Sequence, residues 1–67
     1  MKLSYDPETD SLYISLNERP SVDSLEVAPD FVVDFDDEGR VVGLDIQHAS
    51  KTIDLTKLEA DSLPTAG

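Results

Sequence analysis

The sequence predicts a small α+β domain: an antiparallel sheet of four to five strands, built around two β-hairpins, with one short carboxy-terminal helix on one face. Three observations carry this. Apolar and polar residues alternate over most of the chain up to Ile46, the spacing of half-buried strands. Turn-forming residues cluster at Asp6–Ser11 and Asp36–Arg40, between pairs of such runs. Beyond Ala49 the apolar spacing lengthens towards that of a helix.

The first hairpin spans residues 2–16. Leu3 and Tyr5 begin one face and Leu12, Ile14 and Leu16 continue it, with Tyr13 and Ser15 pointing the other way. Between them Pro7 presets a turn φ, and Asp6 and Asp10 can accept local backbone hydrogen bonds. A weaker alternation from Val22 to Ala28, bracketed by Pro20 and Pro29, reads as an edge strand. The second hairpin is clearer. Phe31, Val33 and Phe35 face the core with Val42, Leu44 and Ile46 opposite, and Gly39 supplies the positive φ that closes the turn. From Ala49 the spacing predicts a short helix that lays Ile53 and Leu58 on the sheet, with Ser50 or Asp54 as N-cap. The domain is expected over residues 1–60, with a frayed tail over 61–67.

Composition narrows the function classes. The 67 residues carry 15 Asp plus Glu against 5 Lys plus Arg, a net charge of −10. Such a chain repels a phosphate backbone, so nucleic-acid binding is not expected. There is no cysteine, which excludes disulfides, thiolate metal sites and thiol nucleophiles together. The opening Met1–Asp6 runs into polar residues where a secretory signal needs an apolar stretch, and no segment is apolar enough for a membrane span, so a cytoplasmic protein is expected. A chain this short buries only about 60% of its unfolded surface, leaving a thin core and little room for an enclosed active site.

The acidic turns are the sharpest motifs. Asp34-x-Asp36-x-Glu38-Gly39, with Asp45 at the twelfth position, has the spacing of a calcium loop. Its flanks alternate as strands rather than helices, and Asp45 stands where a bidentate Glu belongs, so a solvated hairpin turn accounts for the residues. Asp6, Glu8 and Asp10 could likewise grip a hard cation, yet turn formation explains them without one. Neither metal nor cofactor is expected. His48, the single histidine, follows Asp45 by three residues, but no Ser, Cys or second His is arranged to complete a catalytic set. Tyr5 belongs to the core face with its hydroxyl at the rim. Tyr13, together with Val22, Val32 and Val41, is expected to form an apolar patch on the opposite face.

Tyr5-Asp6-Pro7-Glu8-Thr9-Asp10-Ser11-Leu12-Tyr13-Ile14, then Asp34-Phe35-Asp36, Gly39-Arg40-Val41-Val42-Gly43-Leu44-Asp45-Ile46 and Ala49-Ser50, resembles the YuzE-like family of small bacterial and archaeal proteins of unknown function. The resemblance covers roughly residues 2–51. It implies a small β-rich fold with a short helix, and an antitoxin-like role in some members, but no established activity. Asp45 stands where the family more usually has Glu, and Asp30 follows Pro29 where glycine is common.

The functional expectation is a non-catalytic protein-binding module that self-associates or takes a small basic, toxin-like partner. Tyr13 and Val32 would supply the burial and Asp36, Asp37 and Glu38 the charge. An enzyme using metal or carboxylate chemistry at a subunit interface, and a small-ligand-binding domain, are the alternatives.

Overall fold

The computed structural model describes residues 1–64. Alternation is realised in five strands: β1 (Lys2–Asp6), β2 (Ser11–Ser15), β3 (Asp23–Ala28), β4 (Phe31–Phe35) and β5 (Val41–Ile46), followed by a single 3-10 turn at Ala49–Lys51. They form one antiparallel sheet in the order β1-β2-β5-β4-β3. The expected hairpins β1–β2 and β4–β5 are present, and β3 pairs with β4 through the tight Pro29-Asp30 connection. The β2–β5 pairing is the non-local step. It joins the first hairpin to the β3–β4–β5 meander in a Greek-key arrangement.

Register divides the sheet into two chemically distinct faces. On the inner face one rung crosses all five strands as Leu3, Ile14, Leu44, Val33 and Leu25, and the next runs Tyr5, Leu12, Ile46 and Phe31. No charged residue stands in either rung; the third, shorter rung pairs Val41, Phe35 and Asp23. The outer face carries Ser4, Tyr13, Asp45, Val32 and Glu26 in one rung and Lys2, Ser15, Gly43, Asp34 and Ser24 in the next. Leu12, Ile46 and Ala49 form the buried cluster, with Ile14, Phe31 and Ile53 packed against it.

The expected pairing of Phe35 with Val42 is corrected by a β-bulge. Gly43 pairs with Asp34 but Val41 pairs with Phe35, which leaves Val42 as the extra residue, buried at 3% exposure. The same shift places Val41 opposite Phe35, so strict parity does not carry it to the face of Tyr13.

The carboxy-terminal helix does not form, and the regular structure is a β-sheet with one 3-10 turn rather than an α+β pair of layers. Only a few helix-type bonds are made: Lys51 N donates to His48 O, Thr52 N and Ile53 N both donate to Ala49 O, and the chain then leaves the helical path. The reason is local. Asp54 Oδ1 accepts from the backbone N and the hydroxyl of Thr56, an alternative to continuing helical bonds. Thr52 and Ile53 are β-branched, and a segment this short lacks the length to nucleate a helix by itself. Ser50 and Asp54 are therefore not N-caps. His48 occupies the N-cap position at φ 51 with no side-chain cap. Ile53 reaches the core as expected, whereas Leu58 is 77% exposed. Of the tail expected over 61–67, residues 61–64 have no regular structure and are exposed; 65–67 lie outside the described residues.

Candidate functional site

Three polar clusters and one apolar face are the places where function could reside. The first cluster is the β4–β5 turn. Asp36 is buried at 4% exposure, and its Oδ1 accepts from the backbone N of Glu38 and of Arg40, each at 2.9 Å. Its Oδ2 faces Arg40 Nε at 3.3 Å and an Arg19 guanidinium nitrogen at 3.6 Å. The Arg40 backbone N–H, followed by the Glu38 N–H and the Arg40 guanidinium, holds the Asp36 carboxyl below the usual Asp range against the opposing effect of desolvation. Gly39 supplies the expected left-handed residue at φ 77. Of the acidic trio, Asp36 thus closes the turn from within. Asp37 and Glu38 are exposed, and Glu38 pairs with Arg40 at 3.1 Å.

The second cluster ties the first hairpin turn to the 3-10 turn. Asp10, in the left-handed region at φ 55, accepts from the Tyr5 hydroxyl at 2.7 Å, the Ser50 hydroxyl at 2.6 Å and the Ser50 backbone N at 3.1 Å. Its carbonyl accepts from Ala49 N at 2.8 Å. Hydrogen bonds from the Ser50 and then the Tyr5 hydroxyl depress the Asp10 pKa, while the bond to Asp10 raises that of Tyr5. Asp10 is therefore committed to a clasp between the first hairpin turn and the 3-10 turn. Asp6 accepts from Glu8 N, a turn bond. His48 Nδ1 lies 3.2 Å from Asp30 Oδ1 rather than near Asp45, which sits in register with Tyr13 and Val32 on the outer face.

The third cluster was not anticipated from sequence. Tyr13 runs diagonally across Gly43, and its hydroxyl donates to Asp34 Oδ2 at 2.8 Å; Ser24 donates to Asp34 Oδ1 at 2.7 Å. A Cβ on residue 43 would stand 2.6 Å from Tyr13 Cζ, so the glycine makes room for the ring. Desolvation first, and the bond to Asp34 second, raise the Tyr13 pKa. The only sequence signal was a glycine inside a strand, which marks a close approach without naming the visitor.

The outer face is accordingly polar. Asp45 separates Tyr13 from Val32 in their rung, Val22 precedes β3, and the bulge pairs Val41 with Phe35, so the four do not make one apolar patch. Among the described residues no three His, Cys, Asp or Glu side chains are grouped to hold a metal ion. Asp34 and Asp36 are spent on Tyr13, Ser24 and the turn, so the acidic run does not assemble into a calcium loop.

The apolar surface lies on the inner face. Residues Ile53–Leu58 cross the β1–β2 half and leave a groove of about 440 Å³ against Leu3, Tyr5, Leu12 and Ile14. The β3 edge is left open, with Leu25 58% exposed, while β4 is half-buried throughout.

Comparison with known proteins returns a family without an assigned role. A family described as a protein of unknown function, DUF2283, matches residues 2–50. The chain belongs to this family. An uncharacterized protein of Methanocaldococcus jannaschii, MJ0789, is 36% identical over 59 residues, covering 88% of this chain and 50% of that protein. The chain thus spans about half the length of the curated relative it matches. No solved structure matches. Membership of a small family without an assigned role agrees with the sequence resemblance at that level, and the finer YuzE-like name rests on the quoted motifs alone. Among the described residues no helix is long and apolar enough to cross a membrane.

Proposed function

We propose that this member of DUF2283 is a non-catalytic protein-binding module whose docking surface is the inner face of the sheet. The observation that carries this reading is the uncharged five-strand rung from Leu3 to Leu25, exposed at its two edge strands in Leu3 and Leu25. A sheet with one apolar face buries it against another layer, and exposed apolar surface of this kind marks an interface. The polar groups support the same reading, because Asp10, Asp34 and Asp36 are each engaged in holding the fold.

A small basic partner is the second reading, favoured by the net charge of −10 and by the exposed carboxylates of Asp37 and Glu38. Asp36 drops out of that electrostatic role because it is enclosed. Tyr13 and Val32 would then form part of a polar contact surface on the outer face.

Affinity purification of the tagged chain from its own organism's lysate, at low and high salt, tests the module. A partner lost on Leu25→Asp supports docking through the inner face. One shed by salt and by Asp37→Lys with Glu38→Lys, but kept by Leu25→Asp, moves the function to the acidic turns.

A further inference from the structure

We propose that the occupant of the inner face is a second copy of this chain, packed face to face into a two-sheet sandwich. This rests on the docking surface named above and identifies its partner. Three observations carry it.

The first is area. The chain exposes 5299 Å², whereas a self-sufficient folded monomer of its 7.3 kDa exposes about 4,200 Å² by the scaling of surface with mass. The excess, on the order of 1,100 Å², is shared between the open sheet face and the extended carboxy-terminal segment. It is comparable with the roughly 800 Å² that each partner contributes to a standard stable interface.

The second is the placement of charge. A chain of net charge −10 is a poor partner for itself unless its acids stay out of the contact. The two rungs from Leu3 to Leu25 and from Tyr5 to Phe31 carry none, and the rung of Val41 and Phe35 carries one, Asp23, on the edge strand β3. Asp34, Asp45 and Glu26 lie on the outer face, and Asp36, Asp37 and Glu38 lie in the turn beyond β4. The groove is lined by Asp54, whose Oδ1 accepts from Thr56, and by Lys57, which is paired with Glu59 at 2.8 Å. Two inner faces can therefore meet over the two uncharged rungs, with Asp23 at the β3 edge and Asp54 at the groove left to the rim.

The third is that the sheet edges are poor competitors for self-association. β3 carries Asp23 and Glu26, has a bulge between Glu26 and Ala28, and ends at Pro29, all of which blunt an edge. β1 carries Lys2 and ends at Asp6. A face-to-face sandwich instead stacks apolar side chains at about 10 Å sheet spacing.

This geometry has a salt signature opposite to that of a basic partner. The interface is apolar while the repulsion is between distant, solvated acids, so screening strengthens the dimer. Sedimentation equilibrium of the purified chain is expected to show a monomer–dimer equilibrium that tightens several-fold between about 0.05 M and about 0.5 M salt. Leu25→Asp, at an exposed position whose folding circular dichroism can verify, is expected to weaken it at least tenfold. Glu26→Lys, on the outer face of the same strand, is expected to leave the dimer intact. A dimer that loosens with salt, survives Leu25→Asp, or is abolished by Glu26→Lys would overturn the proposal, as would a monomer under all conditions. If the chain is monomeric yet loses a lysate partner on Leu25→Asp, the second copy is refuted and the module reading stands. A monomer that holds no partner refutes both.

Discussion

Gly43 and Tyr13 show how one residue choice fixes another across a sheet. Tyr13 pairs in register with Asp45 but reaches the diagonal position at Gly43, where the missing side chain lets its hydroxyl touch Asp34 on the next strand. The aromatic ring covers a glycine that would otherwise weaken the strand, a known device of antiparallel sheets. Gly43→Ala should therefore evict the ring and destabilise the fold by about 1–3 kcal/mol, the range for overpacking a filled site. Tyr13→Phe should cost about 1 kcal/mol by removing one part-buried hydrogen bond. Denaturant unfolding checks both. In Tyr13→Ala the Gly43→Ala penalty should largely vanish, and a double-mutant cycle with no coupling would refute the clash. Asp30 makes the complementary point. It follows Pro29 and adopts φ 69, a left-handed geometry that explains why glycine suits this turn.

At the scale of elements, the carboxy-terminal segment is held by a few specific bonds rather than by helix propensity. Ala49 is fully buried, Ile53 packs on the core, and Ser50 anchors the 3-10 turn to Asp10 across the molecule. Ser50→Ala removes the hydroxyl donor and leaves the backbone one. Native-state hydrogen exchange should then show faster exchange at Ser50, Thr52 and Ile53, with the β2–β5 and β4–β5 ladders unchanged. Uniformly faster exchange over the sheet would mean that the clasp supports the whole fold. The connection between β2 and β3 is pinned in a comparable way. Asn17 accepts from Arg19 N, and the Arg19 guanidinium approaches Asp36, so the crossing chain passes against the turn it has to clear.

For the whole molecule, acid sensitivity follows from Asp36 and Asp10. Both carboxyls titrate below their ordinary value in the folded chain, so the unfolded chain binds more protons between the two pKa values. The stability they contribute is fully present above the unfolded carboxylate pKa of about 3.9 and is lost as the pH falls through the lower folded value. Asp36→Asn should thus be less stable than the parent at neutral pH, and the difference should close below about pH 4. Thermal midpoints measured from neutral to acid pH provide the check. A constant difference at every pH would show that the carboxylate's charge is not what holds the turn. Using the difference between variant and parent matters, because a chain of net charge −10 also loses self-repulsion as its other acids protonate.

The sequence by itself determined the strands, because period-2 alternation is a local property that survives in any sheet with one apolar face. It also placed Leu12, Ile46 and Phe31 on that face and Gly39 at its turn, since side-chain parity and positive φ are likewise local demands. Only the tertiary structure decided that β5 inserts between β2 and β4, which brought Gly43 under Tyr13 and Asp34 within its reach. It enclosed Asp36, which reads as surface charge until Arg19 arrives from a distant connection. The helix failed for a related reason: Ala49 and Ile53 had the spacing, but Ser50 bonds a carboxylate forty positions away and Asp54 bonds its own neighbour. Local periodicity encodes which side of an element is apolar. Pairing order and long-range hydrogen bonds depend on which elements meet, and that is settled only when the sheet assembles.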